Sequence, residues 1–337
     1  MKRIKNIGVD VGNFDTKTQN TVVPSGFEVS ETKPFGTTNY LEYNGAFYVP
    51  SNDRFSYERD KTINENCFIL SLIAIASEIQ FCAESAKAGR ERQAKLDGTK
   101  LDRVRSVQDE IFDVETVNLG VGLPPTHVST LQDKLISYYK ARFGEGVEYK
   151  YNGYTFRYKL GMIKCFPQDF AAILTYHPQD KENSAISFPS YYGIDIGGWT
   201  VDVVTILDKR ISINKCDSKP LGVLAMHEKI VREVETTFGR RLMKTDIENI
   251  LKGERILIPE DVKTFIKNAA NKWYEDIMKS LKQFGVAYDT HPVIFLGGGA
   301  LLFKDCIKKD QRLVKYELMY NPKANAAAYA ALLGPEK

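Results

Sequence analysis

A short segment near the start of the chain is repeated in its second half. Gly8–Phe14 reads GVDVGNF and Gly193–Trp199 reads GIDIGGW, and the two copies align without a gap. Each copy places a carboxylate, Asp10 or Asp195, near the end of a strand-like run, with a glycine two residues later. Self-similarity of this kind marks duplicated structural units. The chain is therefore expected to contain two related halves.

A second strand-like run follows each glycine turn, over Thr16–Val22 in the first copy and Val201–Leu207 in the second. Two such runs joined by a turn with glycine predict a β-hairpin. Amphipathic segments alternate with strand-like ones elsewhere, which predicts an α/β fold. Helices are expected at Phe68–Ala83, Leu131–Phe143, Phe170–Tyr176, Leu221–Phe238, Pro259–Phe284 and Ala324–Leu333. Strands are expected at Val114–Gly122 and Val293–Leu296, with a hairpin over Tyr149–Ile163 turning at Asn152-Gly153.

Composition excludes several classes of protein. The 337 residues suggest two domains, because a domain takes ~100–200 residues. A hydrophobic share of 43% is enough to form a packed core, and the net charge of +3 argues against coating nucleic acid by charge. The charged segment 84–108 is expected to be a solvated helix end and loop.

Compartment and metal chemistry are bounded in the same way. The longest apolar run, Cys67–Ala76, has ten residues, whereas a membrane helix needs ~20. Asp10 interrupts the apolar segment that a secretory signal would need, so a cytoplasmic protein is expected. The five cysteines and four histidines are scattered, and the absence of a CxxC pair leaves no sign of a disulfide framework or a zinc site.

Three glycine turns are the candidate ligand-binding features. Successive backbone N–H groups in such turns form a concave site for anions, so the two hairpins could hold the phosphates of a nucleotide. Asp10 and Asp195 could hold Mg²⁺ through water, since Mg²⁺ keeps much of its hydration. Gly297–Gly299 follow a strand, and without side chains they would let the backbone approach a base or ribose. The dinucleotide GxGxxG and the Walker A patterns do not occur.

These features together resemble the actin/Hsp70/sugar-kinase superfamily, and most closely the bacterial actin-like ATPases of the ParM plasmid-segregation type. The residues similar to the phosphate-1 motif are Asp10, Gly12, Asn13, Phe14, Asp15 and Lys17. Those similar to phosphate-2 are Asp195, Gly197, Gly198, Trp199, Thr200 and Asp202. The adenosine motif is matched by Gly297, Gly298, Gly299 and Ala300. Phe166–Asp169 and Asn321–Ala326 resemble the two segments that connect the lobes in that family.

The resemblance implies a duplicated, ribonuclease H-like fold of two lobes with a nucleotide cleft between them. The lobes are expected at 1–165 and 166–320, with the C-terminal helix, 321–337, returning to the first lobe. Gln168 stands where the family has the residue that orients the attacking water, and Lys17 would contact phosphate. Trp199 departs from the Gly, Ser or Thr usual at its position, which affects the geometry of the loop more than its backbone donors.

Each of these residues also has a purely structural interpretation. Asp10 and Asp15 could be ordinary turn residues, and Lys17 a solvent-facing strand lysine. Gln168 and its neighbour Asp169 could simply begin a helix. Asp202 could be a polar break in a strand, and the three glycines a tight strand-to-helix joint.

The activity implied by the resemblance is slow, Mg²⁺-dependent hydrolysis of ATP, or of GTP, coupled to assembly into head-to-tail filaments. The implied partners are other copies of the chain and a ParR-like DNA-binding adaptor that links the filament to a plasmid centromere, with no membrane partner. A small-molecule kinase of the same fold is the alternative, although no sugar-kinase substrate signature occurs. An Hsp70-like chaperone is disfavoured, because no peptide-binding domain is expected in these 337 residues.

Overall fold

The computed structural model describes residues 4–56, 58–96 and 111–335. The chain divides into two compact units. Unit 1 holds the residues up to Leu123, residues 127–175 and those from Lys323 onward, and unit 2 holds residues 124–126 and 176–322.

Unit 1 is built on a nine-stranded sheet with the strand order β3-β2-β1-β7-β9-β8-β5-β6-β4. Its strands are β1 (Ile4–Val11), β2 (Asp15–Lys17), β3 (Val22–Pro24), β4 (Phe27–Ser30), β5 (Leu41–Tyr43), β6 (Ala46–Pro50), β7 (Ile111–Leu123), β8 (Val147–Tyr151) and β9 (Tyr154–Pro167). Its helices are α1 (Asn66–Leu96), α2 (Pro125–Phe143), α3 (Phe170–Leu174) and, from the end of the chain, α9 (Ala324–Leu332).

Unit 2 has a smaller sheet of six strands with the order β12-β11-β10-β14-β15, and β13 pairs with β11 off this path. The strands are β10 (Tyr191–Ile196), β11 (Val201–Leu207), β12 (Arg210–Ile211), β13 (Asp217–Lys219), β14 (Val293–Leu296) and β15 (Tyr316–Leu318). The helices are α4 (Val223–Phe238), α5 (Lys244–Lys252), α6 (Glu260–Phe284), α7 (Gly298–Leu302) and α8 (Lys304–Lys309).

The two sheets repeat one topology. In unit 1, β1 pairs antiparallel with β2 and parallel with β7, and β7 pairs parallel with β9. In unit 2, β10 pairs antiparallel with β11 and parallel with β14, and β14 pairs parallel with β15. The repeated sequence segment thus occupies the same hairpin in each sheet, and the predicted duplicated α/β fold is confirmed.

Glycines in the central strands of unit 1 make room for α9. A Cβ on Gly8 of β1 would lie 1.9 Å from the carbonyl oxygen of Ala326, and one on Gly120 of β7 would lie 2.7 Å from Cβ of Tyr329. The alanine-rich sequence of α9 presents small side chains, so the helix backbone packs directly on the sheet. Strand glycines of this kind mark a close backbone approach.

Helix α1 carries the most apolar segment of the chain. By length and composition it is the one helix among the described residues that could cross a membrane, with a mean hydropathy of 1.6 over its best window. About two thirds of that window, 67%, is buried inside the protein. The helix packs against β1 and β2 as a core helix of unit 1.

Most predicted elements are present, with differences in their bounds. Helix α2, for example, begins at Pro125 and not at the expected Leu131. The expected strand Thr16–Val22 is interrupted, because Thr18 and Thr21 form a tight turn that separates β2 from β3. The predicted turn at Asn152-Gly153 is present, with φ values of 53° and 83° at the two residues as a type I′ turn requires. Helix α1 extends to Leu96, and the remainder of the predicted charged segment, up to residue 108, lies outside the described residues.

Candidate functional site

The hairpin of unit 1 turns at Gly12. In this hairpin Asp10 is the partner of Lys17 and Val11 that of Thr16. The backbone N–H of Gly12 donates to the carbonyl oxygens of Asp10 and Asp15, at 3.0 and 3.2 Å. A Cβ on Gly12 would lie 2.7 Å from the Asp15 oxygen, so this tight turn requires glycine.

Ser25 holds the turn from one side. Its Oγ donates to the carbonyl of Gly12 at 2.5 Å, and its backbone N–H donates to the carbonyl of Phe14 at 3.2 Å. Among the residues that the structure describes, the N–H groups of Asn13 and Phe14 find no acceptor. The turn therefore has the carbonyls of Gly12 and Phe14 occupied and two backbone donors available, which is the arrangement of an anion-binding nest.

Asp10 and Gln168, which the sequence analysis assigned to one site, are in contact. The Nε2 of Gln168 donates to Oδ1 of Asp10 at 2.9 Å, and Asp10 is only 8% exposed. The backbone N–H of Gln168 donates to the carbonyl of Leu123 at 2.8 Å. The pair thus lies at the carboxyl ends of the parallel strands β1, β7 and β9, the edge at which open α/β sheets bind ligands.

Asp169, the neighbour of Gln168, has a structural role. Its backbone N–H donates to Oδ1 of Asn325 at 2.7 Å, and Nδ2 of Asn325 donates back to the Asp169 carboxylate at 2.9 Å. Asp169 is buried, and its φ of 61° is unusual for a residue with a side chain. This reciprocal bond fixes the start of α3 to α9 and so sets the position of Gln168.

Two cations contact the unit 1 hairpin without having been predicted. The guanidinium of Arg54 bonds Oδ1 of Asp15 at 3.1 Å and lies over the ring of Phe14, 4.8 Å from its centroid. The Nζ of Lys61 donates to the carbonyl of Val11 at 2.5 Å. Both residues lie between β6 and α1, in a loop whose sequence has no periodicity or motif, so only the folded chain identifies them.

The hairpin of unit 2 is supported differently. The backbone N–H of Gly197 donates to the carbonyl of Thr200 at 2.9 Å, which closes the turn. The carbonyls of Gly197, Gly198 and Trp199 accept from the first N–H groups at the start of α4, at 3.1, 2.9 and 3.1 Å. Gly222 permits this contact, because a Cβ there would lie 2.3 Å from the Gly198 oxygen.

This second turn also has free donors. Among the described residues, the N–H groups of Gly198 and Trp199 have no acceptor. The Trp199 side chain is 37% exposed and lies at the surface of unit 2. Replacing the usual small residue by tryptophan thus leaves the backbone of the turn in the same kind of arrangement as in unit 1.

Two carboxylates face each other across the unit 2 hairpin. Asp195 on β10 is the register partner of Asp202 on β11. Thr200 Oγ1 donates to Oδ2 of Asp202 at 2.8 Å. Burial raises the pKa of Asp202 to about 6, and the neighbouring charge of Asp195 adds to the rise. This pair of carboxylates would be stabilised by a cation.

The three glycines after β14 differ in the space that surrounds each of them. Gly297 has a φ of 86°, and a Cβ there would lie 1.9 Å from Oδ1 of Asp195. A Cβ on Gly299 would lie 2.5 Å from Cγ2 of Ile196, whereas one on Gly298 would meet nothing within 4 Å. Ala300 is 1% exposed, in the core of unit 2. Only Gly298 therefore has the open space that the expected approach to a ligand requires.

Among the described residues, no three or more His, Cys, Asp or Glu side chains converge on one point. Asp10 and Asp195 each offer oxygen ligands of the kind that Mg²⁺ prefers, and one or two carboxylates are enough when waters and phosphates supply the rest.

Comparison with known proteins agrees with this architecture. Residues 193–309 match the family model described as archaeal actin homologue MreB-like, C-terminal. No curated protein matches the sequence.

Solved structures extend the likeness to the whole chain. Ta0583, an archaeal actin homologue, has a TM-score of 0.66 at 18% identity, over 98% of this chain and 99% of that one. ParM of Bacillus thuringiensis, solved with ATP, has a TM-score of 0.60 at 14% identity, over 98% of each chain. ParM from a 15-stranded filament of Clostridium botulinum has a TM-score of 0.64 at 14% identity, again over 98% of each. The chain therefore has the actin-like fold.

Proposed function

We propose that the chain is an actin-like nucleoside triphosphatase that binds ATP, or GTP, with Mg²⁺ and assembles into filaments. The observation that carries the proposal is the repeated hairpin. Each unit presents a glycine turn whose carbonyls are occupied and whose N–H groups are available, next to a carboxylate at a strand end. Ta0583 has also been solved in complex with ADP, and the Bacillus thuringiensis ParM with ATP, which supports a nucleotide as the ligand.

In this proposal each hairpin has one set of groups for the phosphates and another for the metal ion. The turn N–H groups and Lys17 would contact phosphate oxygens, while Asp10 and Asp195 would supply carboxylate oxygens for Mg²⁺. When bound, the ion neutralises charge on the phosphates and keeps them aligned. The remaining candidate contacts are Gly12, Asp15, Gly197, Thr200, Asp202 and Gly297–Gly299.

Gln168 would orient the attacking water. Its Nε2 is engaged by Asp10, so Oε1 is the atom left to accept a hydrogen bond from the water. The water oxygen bonds to the γ-phosphorus as the bond to the bridging oxygen breaks, the electron pair stays on the diphosphate, and the proton passes to solvent. An amide is not a proton acceptor of useful strength, so slow turnover is expected.

Assembly and partner are the finer parts of the proposal. The Clostridium botulinum relative was solved as a filament, which supports polymerisation of this chain. Head-to-tail contacts that do not close into a ring generate such filaments. We infer from the likeness to ParM structures that the filament acts in the cytoplasm and segregates plasmid DNA. A net charge of +3 gives the chain itself little attraction to DNA, so we assign the DNA contact to a ParR-like adaptor.

The test combines phosphate release with light scattering and electron microscopy after Mg-ATP or Mg-GTP is added. We expect filaments and slow phosphate release, both lost in Asp195→Ala. Asp289→Ala is a matched control, because that carboxylate is exposed and its ion pair with Lys282, at 3.9 Å, is also exposed. Absence of polymer, together with transfer of the phosphate to a metabolite, would contradict the proposal and indicate a kinase.

A further inference from the structure

The loop before α1 is held rigidly at Asp60. One carboxylate oxygen of Asp60 accepts from the backbone N–H and the hydroxyl of Thr62, at 3.0 and 2.6 Å. The other oxygen accepts from Nζ of Lys134 on α2, at 2.5 Å. The hydrogen bond from Lys134 lowers the pKa of Asp60 to about 2, so this carboxylate is ionised at neutral pH.

The far end of the loop is fixed by Asn64. Its Oδ1 accepts from the N–H of Asn66 at 2.9 Å, at the start of α1, and its Nδ2 donates to Glu58 at 2.8 Å. The carbonyl of Asn64 accepts from the hydroxyl of Tyr138 on α2 at 2.9 Å. Both ends are thus attached to helices, and the side chain between them has a defined direction.

Lys61 points away from these anchors toward the end of β1. Its Nζ donates to the carbonyl of Val11, next to Asp10 in the chain. Its charge also acts on Cys165 near the end of β9, where burial raises the thiol pKa and Lys61 opposes that rise. At His127, near the start of α2, burial lowers the pKa and the charges of Arg59 and Lys61 lower it further. The hydrogen bond to Val11 therefore places the ammonium at the carboxyl end of β1, where Val11 follows Asp10.

A backbone carbonyl does not need a cation. A neutral donor would satisfy Val11 equally well, and a half-buried ammonium costs free energy in desolvation. Among the described residues, Lys61 forms no ion pair within 4.0 Å, in contrast to Lys134 and Lys150 of the same unit. An ammonium has three N–H donors, so two remain for a ligand while the third stays on Val11.

We propose that Lys61 is a phosphate-binding residue that contacts the terminal phosphate of the bound nucleoside triphosphate. The inference rests on the proposed nucleotide site. The terminal phosphate is the one assigned, because Lys61 is bonded to Val11, and the adjacent residue Asp10 accepts from Gln168, the group that would orient the attacking water. A fixed cation there stabilises the charge that develops on the oxygens of the transferring phosphoryl group.

The test uses Lys61→Gln, which keeps a donor for the Val11 carbonyl and removes the charge. We expect affinity for a non-hydrolysable triphosphate analogue to fall about 10-fold and hydrolysis about 100-fold, the loss typical for one preorganised donor. Affinity for the diphosphate should change less than about 2-fold, because that ligand lacks the phosphate in question. Lys134→Gln is the control, since it alters the same loop without removing the charge at the sheet edge.

The outcomes separate this inference from the proposed function. An unchanged ratio of triphosphate to diphosphate affinity in folded Lys61→Gln would overturn the role of Lys61 and leave the nucleotide site intact. If the wild-type protein binds neither nucleotide, the proposed function itself fails. If Lys61→Gln has a lower melting temperature, Lys61→Arg is measured as well. A wild-type ratio of triphosphate to diphosphate affinity in Lys61→Arg would support a charge contact, and a ratio as low as that of Lys61→Gln would contradict it.

Discussion

The hairpins of the two units share one register and differ in what supports them. In unit 1, Ser25 occupies the carbonyls of Gly12 and Phe14. In unit 2, the first N–H groups at the start of α4 occupy the carbonyls of residues 197–199. One turn is therefore held by a side chain and the other by a whole helix, although both leave the same kind of backbone donors available.

The charges around the two turns differ as well. The unit 1 hairpin carries Lys17 beside its carboxylates Asp10 and Asp15, and Arg54 and Lys61 contact it. The unit 2 hairpin instead pairs Asp195 with Asp202 in a buried setting that raises the pKa of Asp202. The two hairpins thus differ in their charged neighbours, because cations contact the turn of unit 1, whereas a second carboxylate lies opposite Asp195 in unit 2.

The largest expected effect is in unit 2, at Gly297. Gly297→Ala forces a Cβ toward Asp195 at a backbone angle that alanine avoids, and we expect a loss of about 4 kcal/mol in the free energy of unfolding. Gly298→Ala is the control and should change it by less than about 1 kcal/mol. Urea unfolding measures both, and equal effects would contradict the account of the triplet.

Gln168 tests the chemistry assigned to unit 1. Gln168→Ala should slow phosphate release about 100-fold, or about 3 kcal/mol in barrier, because the attacking water loses its acceptor. Nucleotide affinity should stay within a few-fold, as measured by titration calorimetry. Turnover at the wild-type rate would show that another group orients the water.

Ser25 tests whether unit 1 depends on one side chain. Ser25→Ala removes the hydrogen bonds to the Gly12 carbonyl and to Thr16, and should cost about 1–2 kcal/mol of unfolding free energy. Ser212→Ala, outside both hairpins, is the comparison and should cost less. A drop in triphosphate affinity without a stability change would assign Ser25 to ligand binding instead.

The smallest expected effect is a pH dependence of stability that arises in α4, the helix whose start supports the turn of unit 2. His227 on α4 is 0% exposed, and burial lowers its pKa below the ordinary 6.5. As the pH decreases, the imidazole is therefore protonated in the unfolded chain before it is protonated in the folded one. The contribution of His227 to the free energy of unfolding is fully present above pH 6.5 and is lost as the pH falls below that value. We expect a loss of about 1 kcal/mol between about pH 7 and pH 5, reduced in His227→Phe. His177→Phe, at an exposed position, is the control. If the free energy of unfolding depends on pH in the same way in His227→Phe and His177→Phe, this role of His227 is contradicted.

The sequence predicted the duplicated elements better than the contacts between them. The repeat identified both hairpins, and the alternation of patterns located the helices that cover each sheet. The break at Thr18 was missed because its cause is tertiary: the buried Glu78 of α1 accepts from Thr18 and Asn20 and stabilises a turn within an apparent strand.

The site shows the same limit. Asp10 and Gln168 were placed together by resemblance, and they are in contact. Arg54 and Lys61 were missed, because each reaches the hairpin from an irregular loop. Gly297 was interpreted as an approach to a ligand, whereas it also makes room for Asp195. Side-chain contacts of this kind depend on distances that no sequence spacing encodes.

Titration calorimetry with a non-hydrolysable triphosphate and Mg²⁺ tests the central claim most directly. We expect one nucleotide bound per chain, with binding weakened at least about 10-fold by Asp10→Ala in one hairpin and by Asp195→Ala in the other. Wild-type affinity in both variants, or no binding by the wild-type protein, would contradict the proposed role of the two hairpins in nucleotide binding.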